Sequence, residues 1–237
     1  MTYKTIHFSS IDSTNSYIKE NFKKLDDFTF VSTDYQSNGK GRNDRVWFAK
    51  KNENLLFSLL VKDKEIIKES SFLSLVTVVS VSEIIEKYTQ NSIEIKWPND
   101  IYINDRKVAG ILLEARLPEF IVIGVGINVN QKEFAGSYRK EPTSLFLETK
   151  NELDINILKE KIYQNLYNNF LNFDLNKKTF LDYFNNHNYL LNKTVNFIQN
   201  NKLNTGVVLG VDEAFKIVIK NGEGEHHISS GEIELLK

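Results

Sequence analysis

The 237-residue chain contains no cysteine. This absence excludes disulfide bonds, metal sites built from thiolates and any mechanism that passes through a cysteine thioester. No run of roughly 18 apolar residues occurs, and the first ten residues lack the apolar core of a signal peptide. The net charge of −1 gives no global attraction to nucleic acid or to membranes. We therefore expect a cytoplasmic protein whose anion-binding site, if it has one, is a local cluster of cations.

Several familiar catalytic motifs are also missing. No Walker A loop and no G-x-S-x-G nucleophile elbow occurs in the sequence. The four histidines show no metal-ligand spacing. The glycine pair at Gly124 and Gly126 lacks the third glycine and the following helix of a dinucleotide-binding fingerprint.

Hydrophobic periodicity predicts an α+β fold in which helices pack on a central mixed or antiparallel sheet. From Leu190 onward, short strands alternate with Asn and Gly turns, which predicts a separate small β-barrel. We therefore expect two domains, 1–188 and 189–237. The predicted strands are 4–8, 28–33, 55–62, 92–97, 100–103, 107–115, 119–130, 194–199, 205–211, 214–220, 226–229 and 232–236. The predicted helices are 17–25, 69–90 with one apolar face, 154–173 and 177–186.

The first candidate site is the polar loop 36–47, which begins with Gln36 and ends with Trp47. Glycines let backbone N–H groups approach a ligand closely, and Lys and Arg supply charge-assisted bonds to phosphate or carboxylate. A solvated basic turn explains the composition equally well. The loop contains Gly39, Lys40, Gly41, Arg42 and Arg45.

The second candidate is Lys96-Trp97-Pro98-Asn99-Asp100, followed by Lys107. If an Asn104-Asp105 turn closes a hairpin, Asp100 and Lys107 lie on adjacent strands and can face one pocket. The simpler alternative is a surface hairpin with an exposed lysine.

Two further segments carry weaker signals. Gly124 and Gly126 lie inside a predicted strand, where glycine marks either close backbone approach or tight sheet packing. Ser13, Thr14 and Asn15 precede a helical pattern, where they either cap the helix or bind a polar ligand head group.

The order of these segments, with Asp105 to Leu112, Gly124 to Asn128, Thr143-Ser144-Leu145 and Gly231-Glu232-Ile233, resembles the biotin protein ligase family. The resemblance implies a class II synthetase-like catalytic domain followed by an SH3-like β-barrel. It implies that ATP, with Mg²⁺, activates biotin as biotinyl-5′-AMP, and that biotin then passes to a lysine of the biotin carboxyl carrier protein of acetyl-CoA carboxylase. A monomer or a homodimer is compatible with it, and it identifies no metal ligands.

The resemblance also implies roles for matching positions. Lys107, Arg42 and Asp100 are the expected catalytic groups, with Asp100 the candidate to take the proton of the acceptor lysine. The expected ATP-binding residues are Arg42, Arg45, Asn99, Lys107 and Asn128. The expected biotin and biotinyl-AMP residues are Ser13, Thr14, Asn15, Gln36, Gly39, Lys40, Gly41, Arg42, Trp47, Lys107, Gly110, Gly124 and Gly126.

The chain departs from the family pattern in two places. Lys40 stands where the family loop has its first arginine, which keeps the charge but loses the bidentate fork. Many relatives begin with a DNA-binding helix-turn-helix, whereas only 12 residues precede Ser13, so we expect a ligase without DNA binding. A lipoate-protein ligase and a non-enzymatic ligand-binding protein are the alternatives, while an octanoyl transferase would need a cysteine.

Overall fold

A mixed seven-stranded sheet forms the centre of the molecule. The structure, a computed structural model, describes residues 3–43, 45–136, 138, 140–199, 202–229, 231 and 233–236. The first two strands are parallel and every other pair is antiparallel, in the order β1-β2-β3-β7-β6-β5-β4. This confirms the predicted α+β fold with a mixed sheet. The strands are β1 Lys4–Phe8, β2 Thr29–Thr33, β3 Asn54–Val61, β4 Ile93–Lys96, β5 Asp100–Ile103, β6 Arg106–Arg116 and β7 Phe120–Asn128.

Six helices accompany the sheet in the described part of the chain. Ser13, Asp63, Ser144 and Asp154 cap helix N-termini by accepting backbone N–H bonds with their side-chain oxygens. The two five-residue helices, α2 and α4, were not predicted from the sequence. The helices are α1 Thr14–Asn21, α2 Lys64–Lys68, α3 Ser70–Ile85, α4 Leu145–Thr149, α5 Ile155–Leu171 and α6 Phe173–Asn186.

Helix α3 is buried around most of its circumference, so the prediction of one apolar face is wrong. Leu73, Val78 and Val81, which lie away from the predicted face, are as buried as Val76 and Val79. The reason is that α3 lies between the sheet and helices α5 and α6, so apolar residues are buried on more than one of its faces. Its last predicted turn is a short 3-10 segment, Glu86–Tyr88.

Helix α1 covers the opposite face of the sheet. Ile18 and Phe22 pack with Val31, Leu60 and Val122 in a second, smaller apolar cluster. Neighbouring residues on one strand divide between the two faces, because successive side chains of a strand alternate; Phe30 joins the large core and Val31 the small one. The small cluster holds the middle and the C-terminal end of α1 against the sheet.

The C-terminal strands form a five-stranded antiparallel sheet of SH3-like type, in the order β11-β10-β9-β8-β12. Strand β10 begins at Ile217 rather than at 214, because Asp212 accepts the backbone N–H groups of Ala214 and Lys216 and holds a turn there. Glu232, part of the last predicted strand, lies outside the described residues. The strands are β8 Thr194–Gln199, β9 Lys202–Val211, β10 Ile217–Asn221, β11 Gly224–Ile228 and β12 Glu234–Leu235.

Two boundaries among the long helices also differ from prediction. Phe173 was predicted to end the helix 154–173. It instead begins α6, which therefore starts four residues before the predicted 177. Phe173 is 7% exposed, and its burial extends the helix over a polar stretch that the periodicity alone did not favour. Among the described residues no helix is long and apolar enough to cross a bilayer.

Candidate functional site

A cavity of about 700 Å³ opens on the face of the sheet that carries α1. It is bounded by the N-terminus of α1, the 36–47 loop, the β5–β6 hairpin and the C-terminal segment after β11. The structure brings all of the predicted site residues to this cavity except Gly39. The predicted residues that line it are Ser13, Thr14, Asn15, Gln36, Lys40, Gly41, Arg42, Arg45, Trp47, Asn99, Asp100, Lys107, Gly110, Gly124, Gly126 and Asn128.

Three glycines make the sheet side of the cavity flat. Gly110 and Gly126 are paired across β6 and β7, and the indole ring of Trp47 lies over both. A Cβ added to Gly126 would be 2.5 Å from Trp47 Cε2, so no side chain fits there without moving the ring. A Cβ on Gly124 would collide with the Asn15 amide oxygen. The glycines therefore let the Trp47 and Asn15 side chains pack directly on the sheet, which combines the close approach and the tight packing that the sequence left as alternatives.

One end of the cavity is closed by hydroxyl and amide groups. Thr14 donates its backbone N–H to Gln36 Oε1 at 2.9 Å, and its hydroxyl lies 2.6 Å from Ser58 Oγ. Ser58 Oγ donates to Asn15 Oδ1 at 2.5 Å. Ser13 both caps α1 and lines the cavity, and Thr14 and Asn15 also line it, so capping and cavity lining are not alternatives. This end of the cavity is lined by neutral polar groups held in a fixed arrangement.

The other end carries the predicted ion pair. Lys107 Nζ lies 2.7 Å from Asp100 Oδ1, and both side chains are about one quarter exposed, at 27% and 22%. Lys107 Nζ also lies 5.5 Å from the centre of the Trp47 ring. The pair faces the cavity, so the alternative of an outward-facing surface lysine is wrong.

The hairpin that presents this pair closes as predicted. Asn104 and Asp105 both have positive φ, 51° and 62°, as a two-residue type I′ turn requires. Asn and Asp tolerate the left-handed region better than other side chains with a Cβ. The turn pairs Tyr102 with Lys107, and a register shift between Ile101 and Tyr102 leaves Asp100 opposite Gly110. From there the Asp100 carboxylate reaches Lys107 Nζ.

Arg42 ties the loop to two distant parts of the chain. Its Nη1 donates to Asn99 Oδ1 at 3.1 Å, and its Nη2 donates to the backbone oxygen of Gly231 at 3.1 Å. Asn99 in turn donates to Ile111 O at 2.6 Å, which fixes its amide. The loop is therefore held over the cavity by the β4–β5 corner on one side and by the C-terminal segment on the other.

Gly39 is buried within the 36–47 loop and does not line the cavity. Its carbonyl accepts the backbone N–H of Trp47 at 2.9 Å, and a Cβ there would lie 2.6 Å from Trp47 O. Its place suggests support for Trp47 rather than ligand contact. Asp44 of the same loop lies outside the described residues.

Sequence reasoning missed the wall formed by the segment after β7 and by Tyr189. Phe134, Tyr138 and Lys140 line the cavity there. Lys140 Nζ lies 2.6 Å from Asp105 Oδ2, and Tyr189 donates its hydroxyl to the same carboxylate. The hydrogen bond from Lys140, followed by the one from Tyr189, lowers the pKa of Asp105. The signal available in the sequence for this wall was the presence of two aromatic residues and a lysine in a segment with no regular structure.

The arrangement suits a ligand that is neutral and polar at one end and anionic at the other. Lys40, Arg42, Arg45 and Lys107 can stabilise negative charge that builds up during a reaction. Within the described ranges, no group of three or more His, Asp or Glu side chains is placed to hold a metal ion.

Comparison with known proteins identifies the architecture. Residues 7–128 match the model of the biotin/lipoate A/B protein ligase family, and residues 190–236 match the biotin protein ligase C-terminal domain. A structure of biotin protein ligase from Aquifex aeolicus in complex with biotin and ATP superposes with a TM-score of 0.87, at 29% identity and with 100% of both chains covered.

Curated relatives agree. The bifunctional ligase/repressor BirA of Escherichia coli is 32% identical over 160 residues, which are 66% of this chain and 50% of the relative. BirA of Bacillus subtilis is 30% identical over 224 residues, 87% of this chain and 66% of the relative. The biotin–[acetyl-CoA-carboxylase] ligase of Mycobacterium tuberculosis is 31% identical over 109 residues, 44% of this chain and 41% of the relative.

The chain thus spans about half the length of the Escherichia coli relative and about two thirds of the Bacillus one. Both matched segments coincide with the two sheets, and the cavity lies where the family segment meets the C-terminal segment. On this combination of sequence and structure, the chain belongs to the biotin/lipoate A/B protein ligase family.

Proposed function

We propose that this chain is a biotin protein ligase, which activates biotin with ATP and transfers it to a lysine of a carrier protein. The observation that carries the proposal is the meeting of Arg42 and Lys107, from a loop and a hairpin 65 residues apart in the numbering, on one cavity whose far end is neutral and polar. The Aquifex relative that holds biotin and ATP shares the fold over its whole length, which supports both substrates.

In the first step, the biotin carboxylate attacks the α-phosphorus of ATP, and the bond to the leaving pyrophosphate breaks. Both reactants are anions, so their mutual repulsion is the main electrostatic cost. Lys40, Arg42 and Lys107 lie where they can offset this repulsion and bind the charge on the transferring phosphoryl group. The product is the mixed anhydride biotinyl-5′-AMP.

In the second step, the amine of the acceptor lysine attacks the acyl carbon and AMP leaves. A lysine with a pKa of about 10.4 must lose a proton to react. Asp100 is the candidate to accept or orient that proton, because it lines the cavity and is held beside Lys107 at 2.7 Å. The 36–47 loop, held by Arg42, would keep water from the anhydride.

The remaining assignments follow from the same proposal. Mg²⁺ enters bound to ATP, where phosphate and water supply most of its ligands. The acceptor is the biotin carboxyl carrier protein of acetyl-CoA carboxylase, as the name of the Mycobacterium relative suggests. The working unit comprises a catalytic domain, 1–188, and a C-terminal domain, 189–237, acting in the cytoplasm.

The test is incubation of the purified chain with ATP, Mg²⁺ and biotin, followed by mass spectrometry for biotinyl-5′-AMP and an assay of pyrophosphate release. A carrier domain is then added and examined for one biotinyl group on its lysine. Parallel incubations contain lipoate in place of biotin. Adenylate formed only from lipoate would replace biotin by lipoate in the proposal, and binding of biotin without pyrophosphate release would make the chain a binding protein.

A further inference from the structure

A chain of polar side chains lies behind the closed end of the cavity, and it ends in an ion pair that no sequence motif marks. Glu114, on β6, accepts a hydrogen bond from Lys19 Nζ at 2.6 Å and another from Asn15 Nδ2 at 2.7 Å. Lys19 and Asn15 are one turn apart on α1, so a single carboxylate holds both. The cavity lining includes Asn15 but neither Lys19 nor Glu114, so this pair acts only through its neighbours.

The carboxylate fixes which way the Asn15 amide faces. Burial by itself would raise the pKa of Glu114, but the hydrogen bonds from Lys19 and Asn15, together with the positive charges of Lys19 and Lys40, hold the pKa below its usual value. The side chain is therefore ionised near neutral pH, and an ionised carboxylate only accepts hydrogen bonds. The NH₂ group of Asn15 must then point to Glu114, and its oxygen must point to Ser58.

The orientation of the Asn15 amide also fixes the direction of the hydrogen bonds made by Ser58 and Thr14. Asn15 Oδ1 can only accept, so Ser58 uses its single proton on that bond at 2.5 Å. Ser58 Oγ is then an acceptor for Thr14 Oγ1, 2.6 Å away, and Gln36 Oε1 is a second acceptor at 3.0 Å. The Thr14 proton points back toward one of these two groups, so the hydroxyl offers the cavity a lone pair rather than a proton.

We infer that Glu114, clamped by Lys19, is a positioning residue that sets the direction of this hydrogen-bond chain, so that the closed end accepts an N–H from the ligand head group. The inference rests on the proposed function and deepens it. The ureido ring of biotin carries two N–H donors, whereas the dithiolane ring of lipoate carries none. A closed end that accepts N–H favours the ureido ring, because an acceptor left unpaired after burial is costly.

Without a group at position 114 that can only accept, the series of hydrogen bonds from Asn15 to Thr14 no longer has one fixed direction. The oxygen and nitrogen of an asparagine amide are nearly equal in size, so only the hydrogen-bond partners decide between the two orientations. Glu114→Gln supplies an amide that donates as readily as it accepts. In that variant Asn15 can turn over, Ser58 can reverse, and Thr14 can point its proton into the cavity.

The experiment is steady-state kinetics of pyrophosphate release with Glu114→Gln. We expect the KM for biotin to rise about 5- to 100-fold, the range for a buried donor or acceptor left unpaired. The KM for ATP, the kcat at saturating biotin and the melting temperature should be unchanged, because the reacting atoms lie at the other end of the cavity. Glu119→Gln, an exposed carboxylate beyond the end of β6, is the matched control and should behave as wild type.

A second pair of variants covers the case in which Glu114→Gln does not fold. Lys19→Met removes the clamp and should raise the KM for biotin, whereas Lys19→Arg keeps a donor to the carboxylate and should restore it. An unchanged KM for biotin in Glu114→Gln or Lys19→Met would overturn the inference. Equal losses for biotin and ATP would do the same, since they would indicate a purely structural role. Calorimetry that detects no biotin binding by the wild-type chain would instead overturn the proposed function.

Discussion

At the scale of single residues, two features have the most direct chemical consequences. One is the Lys107–Asp100 ion pair, and the other is the packing of the Trp47 ring on Gly110 and Gly126. Lys107 is held by a carboxylate on one side and lies near an indole ring on the other, 5.5 Å from its centre. Such support fixes the ammonium group before any ligand arrives, and a preorganised charge stabilises a transition state better than a mobile one. The Trp47 ring can lie on the sheet only because Gly110 and Gly126 have no side chains.

Replacing Lys107 by alanine should lower the rate of pyrophosphate release from ATP and biotin by about 100- to 1,000-fold, the loss found when one preorganised donor is removed. The melting temperature should change little, because Lys107 is not part of the apolar core. The exposed Lys24→Ala is the control and should keep full activity. Unchanged release by Lys107→Ala would remove this residue from the mechanism.

Gly126→Ala should displace Trp47, since the added carbon would lie 2.5 Å from the ring. Overpacking of this kind costs about 1–3 kcal/mol, and we expect it to appear as weaker biotin binding because the loop yields more easily than the sheet. Calorimetry measures the affinity. Gly222→Ala, where a Cβ would meet nothing within 4 Å, is the matched control. Equal biotin affinities for the two variants would contradict tight packing of Trp47 on Gly126.

At the scale of elements, the 36–47 loop and the β5–β6 hairpin each depend on contacts outside themselves. Arg42 connects the loop to Asn99 and to Gly231. The hairpin turn is held by Lys140 and Tyr189, which both bond Asp105. Each element thus has a local shape that its own residues dictate and a position that distant residues decide.

Arg42→Ala should allow the adenylate to escape from the cavity. Loss of charge-assisted bonds worth about 1.5–3 kcal/mol each should raise the release of biotinyl-5′-AMP roughly 10- to 100-fold. Labelling of lysines on a bystander protein, detected with streptavidin, is the measurement. The exposed Lys51→Ala should label bystanders no more than wild type does. If Arg42→Ala behaves likewise, retention by the loop is the wrong role for Arg42.

The Asp105 turn predicts a dependence of stability on pH. The pKa of Asp105 is lowered in the folded chain, so its bonds stabilise the fold above the unfolded value of about 3.9 and lose effect as the pH falls through the folded value. Asp105→Asn tolerates the same positive φ. Urea unfolding should show this variant less stable than wild type at neutral pH, with the difference disappearing in strong acid. A difference that persists at low pH would exclude the ionised carboxylate as its cause.

At the scale of the whole molecule, the two sheets share one apolar core. Residues of the C-terminal sheet such as Phe197, Val208 and Ile219 belong to the same buried cluster as those of α3 and β7. Trp97, from the motif before β5, donates its indole N–H to the backbone oxygen of Phe215 at 3.0 Å, and the bond is buried. We therefore expect the central sheet and the C-terminal sheet to unfold together.

Trp97→Phe should test this coupling. The change leaves the Phe215 carbonyl without its donor, which costs about 1–3 kcal/mol and lowers Tm by about 2–4 °C per kcal/mol in a chain of this size. Differential scanning calorimetry should show one transition for wild type and for the variant. The exposed Leu175→Ala should leave Tm unchanged. Two separate transitions in the wild-type chain would show that the sheets unfold independently.

Features that depend on residues close together in the chain were predictable from the sequence. Alternation and helical spacing predicted most strands and the long helices, because side-chain periodicity follows directly from backbone geometry. The Asn104-Asp105 turn was predictable because few other residues adopt positive φ without a penalty. The motif order identified the family and the loop, hairpin and glycine strand that meet at the cavity.

Features that join residues far apart in the chain became visible only in the folded molecule. The burial of α3 on more than one face, the start of α6 at Phe173 and the cavity wall formed by Lys140 and Tyr189 arise from packing between elements. Lys19 and Glu114 are 95 residues apart, and neither belongs to a recognisable motif. A contact of this kind has no local signature, since it exists only after the chain has closed the long loop between its partners.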